Sequence, residues 1–335
     1  MQKLIILDSN KWIQHQWLTS AISRSLLFHI KQTDCKILIP DILREEIKYT
    51  TWKKLNYDLQ KLRNISDDLN KFKVTVEPPQ KFTFKEFENN YIKRLQDLDQ
   101  FIVGTPIKYE HHKNATVKLL KGISPNSSKK QSYKDSLIWE SIVELCNDYH
   151  IHFITADSDF YDNSGVSINN LAKNLKMEIK RDNFCIYPNI EMYLKNVQST
   201  PILLGKFKVI EVLKKSLPEL LIGDEYFDID NLGKLEKIDV DGFATEYPSK
   251  YAISFKLYYS YRKRKVTDVP EEFYFPLKLK IEGVSLLNSD KDILEETSIT
   301  KRLLYWPSES GFALVEYNET RHNLLSYLSN KAKIT

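Results

Sequence analysis

Acidic side chains stand in this chain where apolar runs end. Asp8 closes the run in LIILDSN, and Asp157 and Asp159 close the run in FITADSDF. Asp135 opens the amphipathic stretch YKDSLIWES, and Glu45 and Glu46 lie one to two turns into the segment IPDILREEI. One acid at such a place is ordinarily a helix N-cap. Four separate segments that bring carboxylates to one rim call for a different account. Carboxylates a few ångströms apart raise each other's pKa, and a hard divalent cation removes that repulsion. Oxygen ligands with water suit Mg²⁺ or Mn²⁺. Carboxylates around such a cation, with no nucleophile beside them, point to phosphodiester hydrolysis by an acidified water, in which positioning for in-line attack is much of the catalysis.

The elements that would carry these acids can be read from hydrophobic periodicity. KLIILD, CKILIP and HIHFITAD read as short buried strands, and KMEIKR and CIYP as further extended pieces. Between them the spacing predicts a helix over 10–30, a long helix or helical pair over 41–73 that opens at Pro40 and Asp41, a helix over 82–103 and an amphipathic helix over 135–149. Strands separated by helices imply a parallel sheet with helices on both faces, and ligands of such sheets bind outside the carboxyl ends of the strands. After about residue 200 the texture changes. YAISFKLYYSYR, EEFYFPLKLKIEGV, RLLYWP and GFALVEY read as antiparallel strands, and HNLLSYLSNKA as a terminal helix. The expected fold class is α/β, a parallel sheet flanked by helices over 1–198 with a helical insertion at about 50–130, then a β-rich α+β domain over 201–335.

The 335 residues suffice for two domains, and 42% hydrophobic with 28% charged residues is ordinary for a soluble protein. No apolar run approaches the length of a membrane span, and MQKLIILDSNKW lacks the form of a signal peptide. Cys35, Cys146 and Cys185, odd in number and without CxxC spacing, fit a reducing cytoplasm and speak against a zinc knuckle or a disulfide framework. Residues 1–200 hold 29 Lys and Arg against 24 Asp and Glu, and residues 201–335 hold 20 against 21. The stretch 101–134 alone has seven lysines and one acid, a basic loop that is either a solvated face or a track for a phosphate backbone.

In order along the chain, LIILDSN, IPDILREEI, YKDSLIWES and FITADSDF resemble a PIN domain, the metal-dependent nuclease fold of toxin-type ribonucleases and flap endonucleases. KDSLIWE, then a strand, then TADSDF is similar to a larger bacterial subgroup with extra helices and a C-terminal extension. The resemblance covers roughly residues 1–190. It implies a Mg²⁺ or Mn²⁺ held by Asp8, Glu46, Asp135 and Asp157, with Asp159 binding directly or through water. It implies Asn10 and Thr155 in supporting hydrogen bonds, and Lys129, Lys130 and Lys134 gripping phosphates. RNA is expected ahead of DNA as substrate, in a toxin or phage-defence setting, with a homodimer or regulatory protein partner left open. Spacing alone leaves Glu45 and Glu46 as alternatives, since neighbours on a helix lie 100° apart. The resemblance favours Glu46.

Other readings weigh less. A haloacid-dehalogenase phosphatase needs a second aspartate where this chain has Asn10, and a Toprim site needs a glutamate where it has Asp8. A degenerate fold that only binds nucleic acid or protein would not need every expected acid. The C-terminal domain reads as a sensor or docking module compatible with a nuclease. Glu140, about 140° around the helix from Asp135, falls off the metal face. His111 and His112 read as loop residues, Trp12, Trp52 and Trp139 as core, and YSYRKRKV as a hairpin with a charged tip.

Overall fold

A computed structural model describes residues 1–126, 132–162, 165–179, 183–197, 206–221, 232–261, 277–308 and 311–318. They divide into two compact units, Met1–Trp17 with Ile30–Tyr193, and Leu18–His29 with Leu194 onward. The boundary expected at 199–201, the charged tip of YSYRKRKV and the expected C-terminal helix lie outside the described residues.

In the first unit, β1 (Lys3–Leu7), β2 (Lys36–Pro40), β3 (Ile102–Thr105), β4 (His150–Ile154) and β5 (Phe184–Tyr187) form one parallel sheet in the order β3-β2-β1-β4-β5. The apolar runs explain it. Ile5, Ile6 and Leu7 of β1 and Ile151, Phe153 and Ile154 of β4 are almost fully buried, as strands covered on both faces must be. From β1 the chain moves outward to β2 and β3, then returns to the other side of β1 for β4 and β5. The strand order therefore reverses between β1 and β4, and a crevice opens at their carboxyl ends.

The helices differ from the expectation in instructive ways. The helix expected over 10–30 is broken into α1 (Ser9–Gln14) and α2 (Ala21–Thr33), because Gln16, Trp17 and Leu18 all take left-handed backbone conformations with φ of 48°, 60° and 62°. The long helix is a single α3 (Asp41–Lys71). The helix expected to run to Val103 is α4 (Phe84–Asp97), opened by a capping box in which Thr83 and Glu86 satisfy each other's backbone N–H groups. Residues 102–105 are instead the edge strand β3, so the insertion is not wholly helical. The basic stretch holds a helix, α5 (Tyr109–Lys121), ended by Gly122 at φ 59°. His111 is therefore not a solvated loop residue. It is 5% exposed, accepts from the Lys108 N–H at Nδ1, and its Nε2 donates to Glu144 at 2.6 Å. His112 bonds the Tyr133 hydroxyl at 2.8 Å. The helix expected from Asp135 is α6 (Tyr133–Leu145). KMEIKR contributes no strand among its described residues, since Lys176 ends the short helix α7 (Lys173–Lys176) and Met177 caps it. The helix α8 (Ile190–Val197) comes after β5. Trp12 and Trp139 are core, whereas Trp52 is half-buried among Phe82, Phe84 and Phe87.

A buried ionic cluster holds α6 to α5. Lys118, 7% exposed, lies 3.4 Å from Glu140 and pairs with Glu178. Trp139 Nε1 donates to Glu178 at 2.8 Å, and Asn114 donates to Glu140 at 3.1 Å. Glu140 is thus occupied away from the acidic rim.

The second unit contains α9 (Lys206–Leu221), which the sequence pattern does not announce, and an antiparallel meander of β6 (Leu232–Ala244), β7 (Lys250–Tyr261), β8 (Leu277–Asn288), β9 (Ile293–Ser308) and β10 (Gly311–Asn318). Val209, Val212 and Leu213 of α9 share a core with Ile253, Phe255, Leu279 and Ile281. Phe255 sits across from Gly283 in register, and a Cβ there would lie 2.5 Å from its ring, so glycine is required by the close approach. Arg24 of α2 pairs with Glu296 of β9 at 2.6 Å. Among the described residues no helix is long and apolar enough to cross a membrane.

Removing one member of a buried ionic cluster leaves the others unpaired. Lys118→Met is therefore expected to cost about 3–5 kcal/mol. Urea unfolding monitored by circular dichroism checks this, and an unchanged midpoint would contradict it.

Candidate metal centre and active site

The crevice between β1 and β4 is where the acids meet. Asp8 comes directly after β1 and occupies the N-cap position of α1, yet its carboxylate makes no capping bond. Its N–H extends the ladder to the carbonyl of Ile154 at 3.0 Å, and its Oδ2 accepts from the Thr155 hydroxyl at 2.8 Å. Thr155 is fully buried and also accepts, from the Asp157 N–H at 3.0 Å. One hydroxyl thus fixes two acids from strands adjacent in the sheet. Tyr161 locks the same turn by donating to the Thr155 carbonyl at 2.7 Å.

Glu46 comes from the second turn of α3. Its Oε1 accepts from Lys134 at 2.6 Å, while its Oε2 is buried and has no hydrogen-bond partner among the described residues. Glu45, its neighbour, is 63% exposed and pairs with Lys48 at 2.8 Å, away from the cluster. Asp135 lies in the first turn of α6, where its N–H donates to the capping Ser132 hydroxyl at 3.3 Å. Asn126 holds that start by accepting from the Ser132 N–H and donating to Ser136, both at 2.7 Å.

Electrostatics shows that these groups converge. Burial pushes the Asp8 carboxyl up, and the charges of Glu46 and Asp157 push it further, against the lowering bond from Thr155. Burial likewise raises Asp135, to about 6, with Asp157, Asp8 and Glu46 adding to the rise and Ser132 opposing it. Asp8, Glu46, Asp135 and Asp157 therefore lie within electrostatic reach of one another. Asp157 has a second role, because its Oδ1 accepts from the Asp159 N–H at 3.0 Å and caps the short 3₁₀ turn Ser158–Phe160. Asp159 is thereby tied to the cluster through its backbone. Asn10 is exposed in the first turn of α1. Lys134 stands at the cluster, on Glu46, rather than on a separate basic track. Lys129 and Lys130 lie outside the described residues.

Sequence reasoning missed Asn126, Ser132 and Tyr161. Only Ser132 carried a local signal, since Ser-x-x-Asp ahead of an apolar run is an N-terminal capping pattern.

Oxygen donors, mutual repulsion and a buried, unpartnered glutamate oxygen are the properties of a site for a hard divalent cation. Fold and site together define an α/β domain with an acidic centre at its topological switch point. Residues 5–160, somewhat under half of the chain, match a family model described as PIN domain. PIN domains are in general nucleases that act on nucleic acid with divalent metals. Comparison with curated proteins and with solved structures found no match.

Burial of Asp135, with the charges beside it, has a measurable cost. Between pH 4 and 6 the folded chain holds a proton on Asp135 that the unfolded chain has released, so stability falls as pH rises through that window. Asp135→Asn removes the charge. In EDTA at pH 7.5 it is expected to raise the unfolding free energy by about 2 kcal/mol, with the gap closing below pH 4. Urea titrations across that range check the sign, and a less stable variant at pH 7.5 would refute it.

Proposed function

We propose that the chain is a metal-dependent endonuclease that hydrolyses phosphodiester bonds, with single-stranded RNA ahead of DNA. The carrying observation is the cluster of four carboxylates in which Glu46 keeps a buried oxygen without a hydrogen-bond partner. Asp8, Glu46, Asp135 and Asp157 would hold Mg²⁺ or Mn²⁺, with Asp159 direct or through water. A bound cation of this kind supplies an acidified water and stabilises charge on the phosphate and leaving oxygen.

The chain's own residues do the positioning. Thr155 orients the Asp8 carboxylate and the Asp157 backbone together, and Ser132 sets the first turn of α6 so that Asp135 faces the crevice. The Lys134 ammonium, half-exposed beside Glu46, is placed to receive a phosphate at the mouth of the site. Lys129 and Lys130, close in sequence, extend that role. Asn10, in the first turn of α1, is assigned a supporting hydrogen bond. The preference for RNA, and a role as a bacterial toxin or phage-defence effector in the cytoplasm, rest on the resemblance to toxin-type ribonucleases. A homodimer or a regulatory protein partner is compatible with the second unit. The domains are assigned as 1–198 for the nuclease and 201–335 for the β-rich part.

Labelled single-stranded RNA and DNA, incubated with Mg²⁺ or Mn²⁺, test the proposal. Asp8→Asn, Asp135→Asn and Glu46→Gln are expected to lose about a hundredfold or more in rate, which corresponds to several kcal/mol. Glu45→Gln should stay within about twofold, because its carboxylate is turned to solvent in an ion pair with Lys48. Wild type that binds both substrates tightly yet cleaves neither would instead establish a non-catalytic binding module.

Thr155→Val is expected to slow cleavage by about 10- to 100-fold, and Thr155→Ser to restore most of it. Equal rates for Val and Ser would remove the hydroxyl from the mechanism. Lys134→Ala should reduce the slope of log affinity against log salt by about one, and an unchanged slope would remove it from the phosphate path.

A further inference from the structure

A second group of metal-ligating side chains lies at the other end of β4. His150 and His152 are two residues apart on that strand, so they share one face of the sheet. Cys185 of β5 is the register partner of His152 and points to the same face. One ligand atom from each of the three lies within 4.8 Å of the other two. His152 is 4% exposed, packed against Tyr187 and Tyr193 with ring centroids 5.8 and 5.2 Å away. His150 and Cys185 are half-buried. The acidic centre begins beyond the carboxyl end of β4, at Thr155, whereas this group begins at its amino end. The two do not overlap.

The donor chemistry differs from that of the acidic centre. Two imidazole nitrogens and a thiolate form a borderline-soft set, suited to Zn²⁺ and poorly suited to Mg²⁺ or Mn²⁺. The geometry also fits. Zn–N of about 2.05 Å and Zn–S of about 2.3 Å at a tetrahedral angle put nitrogen and sulfur about 3.6 Å apart. Cys185 Sγ and His150 Nε2 are 3.7 Å apart.

We propose that His150, His152 and Cys185 form a zinc site that joins β4 to β5 toward the amino end of β4, away from the catalytic rim. Three protein ligands leave the fourth tetrahedral position to water. Binding releases the thiol proton, because sulfur coordinates as thiolate.

The test uses the full chain carrying Asp8→Asn and Asp135→Asn, which disables the acidic centre. Co²⁺ serves as the probe, since a thiolate ligand gives it an intense charge-transfer absorption. One equivalent should bind with that band, and Zn²⁺ should displace it and raise the melting temperature. Adding Cys185→Ser should abolish the band and weaken Co²⁺ binding by about 100-fold or more. His150→Gln, at a half-buried position, should weaken binding by a similar factor while far-ultraviolet circular dichroism stays native. Absence of the band in the parent chain would leave only a thiol–imidazole hydrogen bond and overturn the proposal. A band that survives Cys185→Ser would move the thiolate to Cys35 or Cys146 and overturn it equally.

Discussion

Burial of like charges beside one another constrains the first unit. A parallel sheet whose strands end together at a switch point gathers the side chains of the turns beyond those strands, and here those turns carry acids. Asp8 and Asp157 come from the turns that follow β1 and β4, Glu46 from the second turn of α3 and Asp135 from the first turn of α6, and none of them would choose the others' company. Lys134 holds Glu46, and the placement of the other three is enforced by groups with no charge of their own. Thr155 bonds Asp8 and the Asp157 backbone at once, Ser132 caps the helix that carries Asp135, and Asn126 braces Ser132. The hydrophobic sheet beneath supplies the stability against which this strain is set.

The same logic separates the two metal-ligating groups of the domain. At the carboxyl ends of β1 and β4 the donors are oxygen and the neighbours are helix starts. At the amino end of β4 the donors are nitrogen and sulfur, and the neighbours are tyrosine rings. A hard cation and a softer one would each find only one of them congenial. One sheet therefore offers two chemistries at opposite ends without either intruding on the other.

Much of the first unit was legible because its signals are local. A short apolar run that ends in an acid marks both a buried strand and a candidate ligand, and KLIILD and HIHFITAD carry both signals in a few residues. The position of Glu46 against Glu45 was not legible, since it depends on which face of α3 meets the sheet. β3 was lost because IVGT is too short and too mixed to stand out from a helical pattern. The break between α1 and α2 was lost because Gln16, Trp17 and Leu18 give no sign of left-handed backbone. The histidine–cysteine group was invisible for a deeper reason. Its members lie on paired strands, and a spacing rule such as CxxC sees only neighbours along the chain. α9 was missed beside the β-rich texture of the later strands.

The bond from Thr155 to Asp8 spans 147 residues of chain. Asp8 is therefore synthesised well ahead of the threonine that aims it. Until β4 inserts beside β1, Asp8 is one more carboxylate on a nascent strand. The order of synthesis therefore delays the site: the bond that orients the Asp8 carboxylate cannot form until β4 and the turn after it have been made.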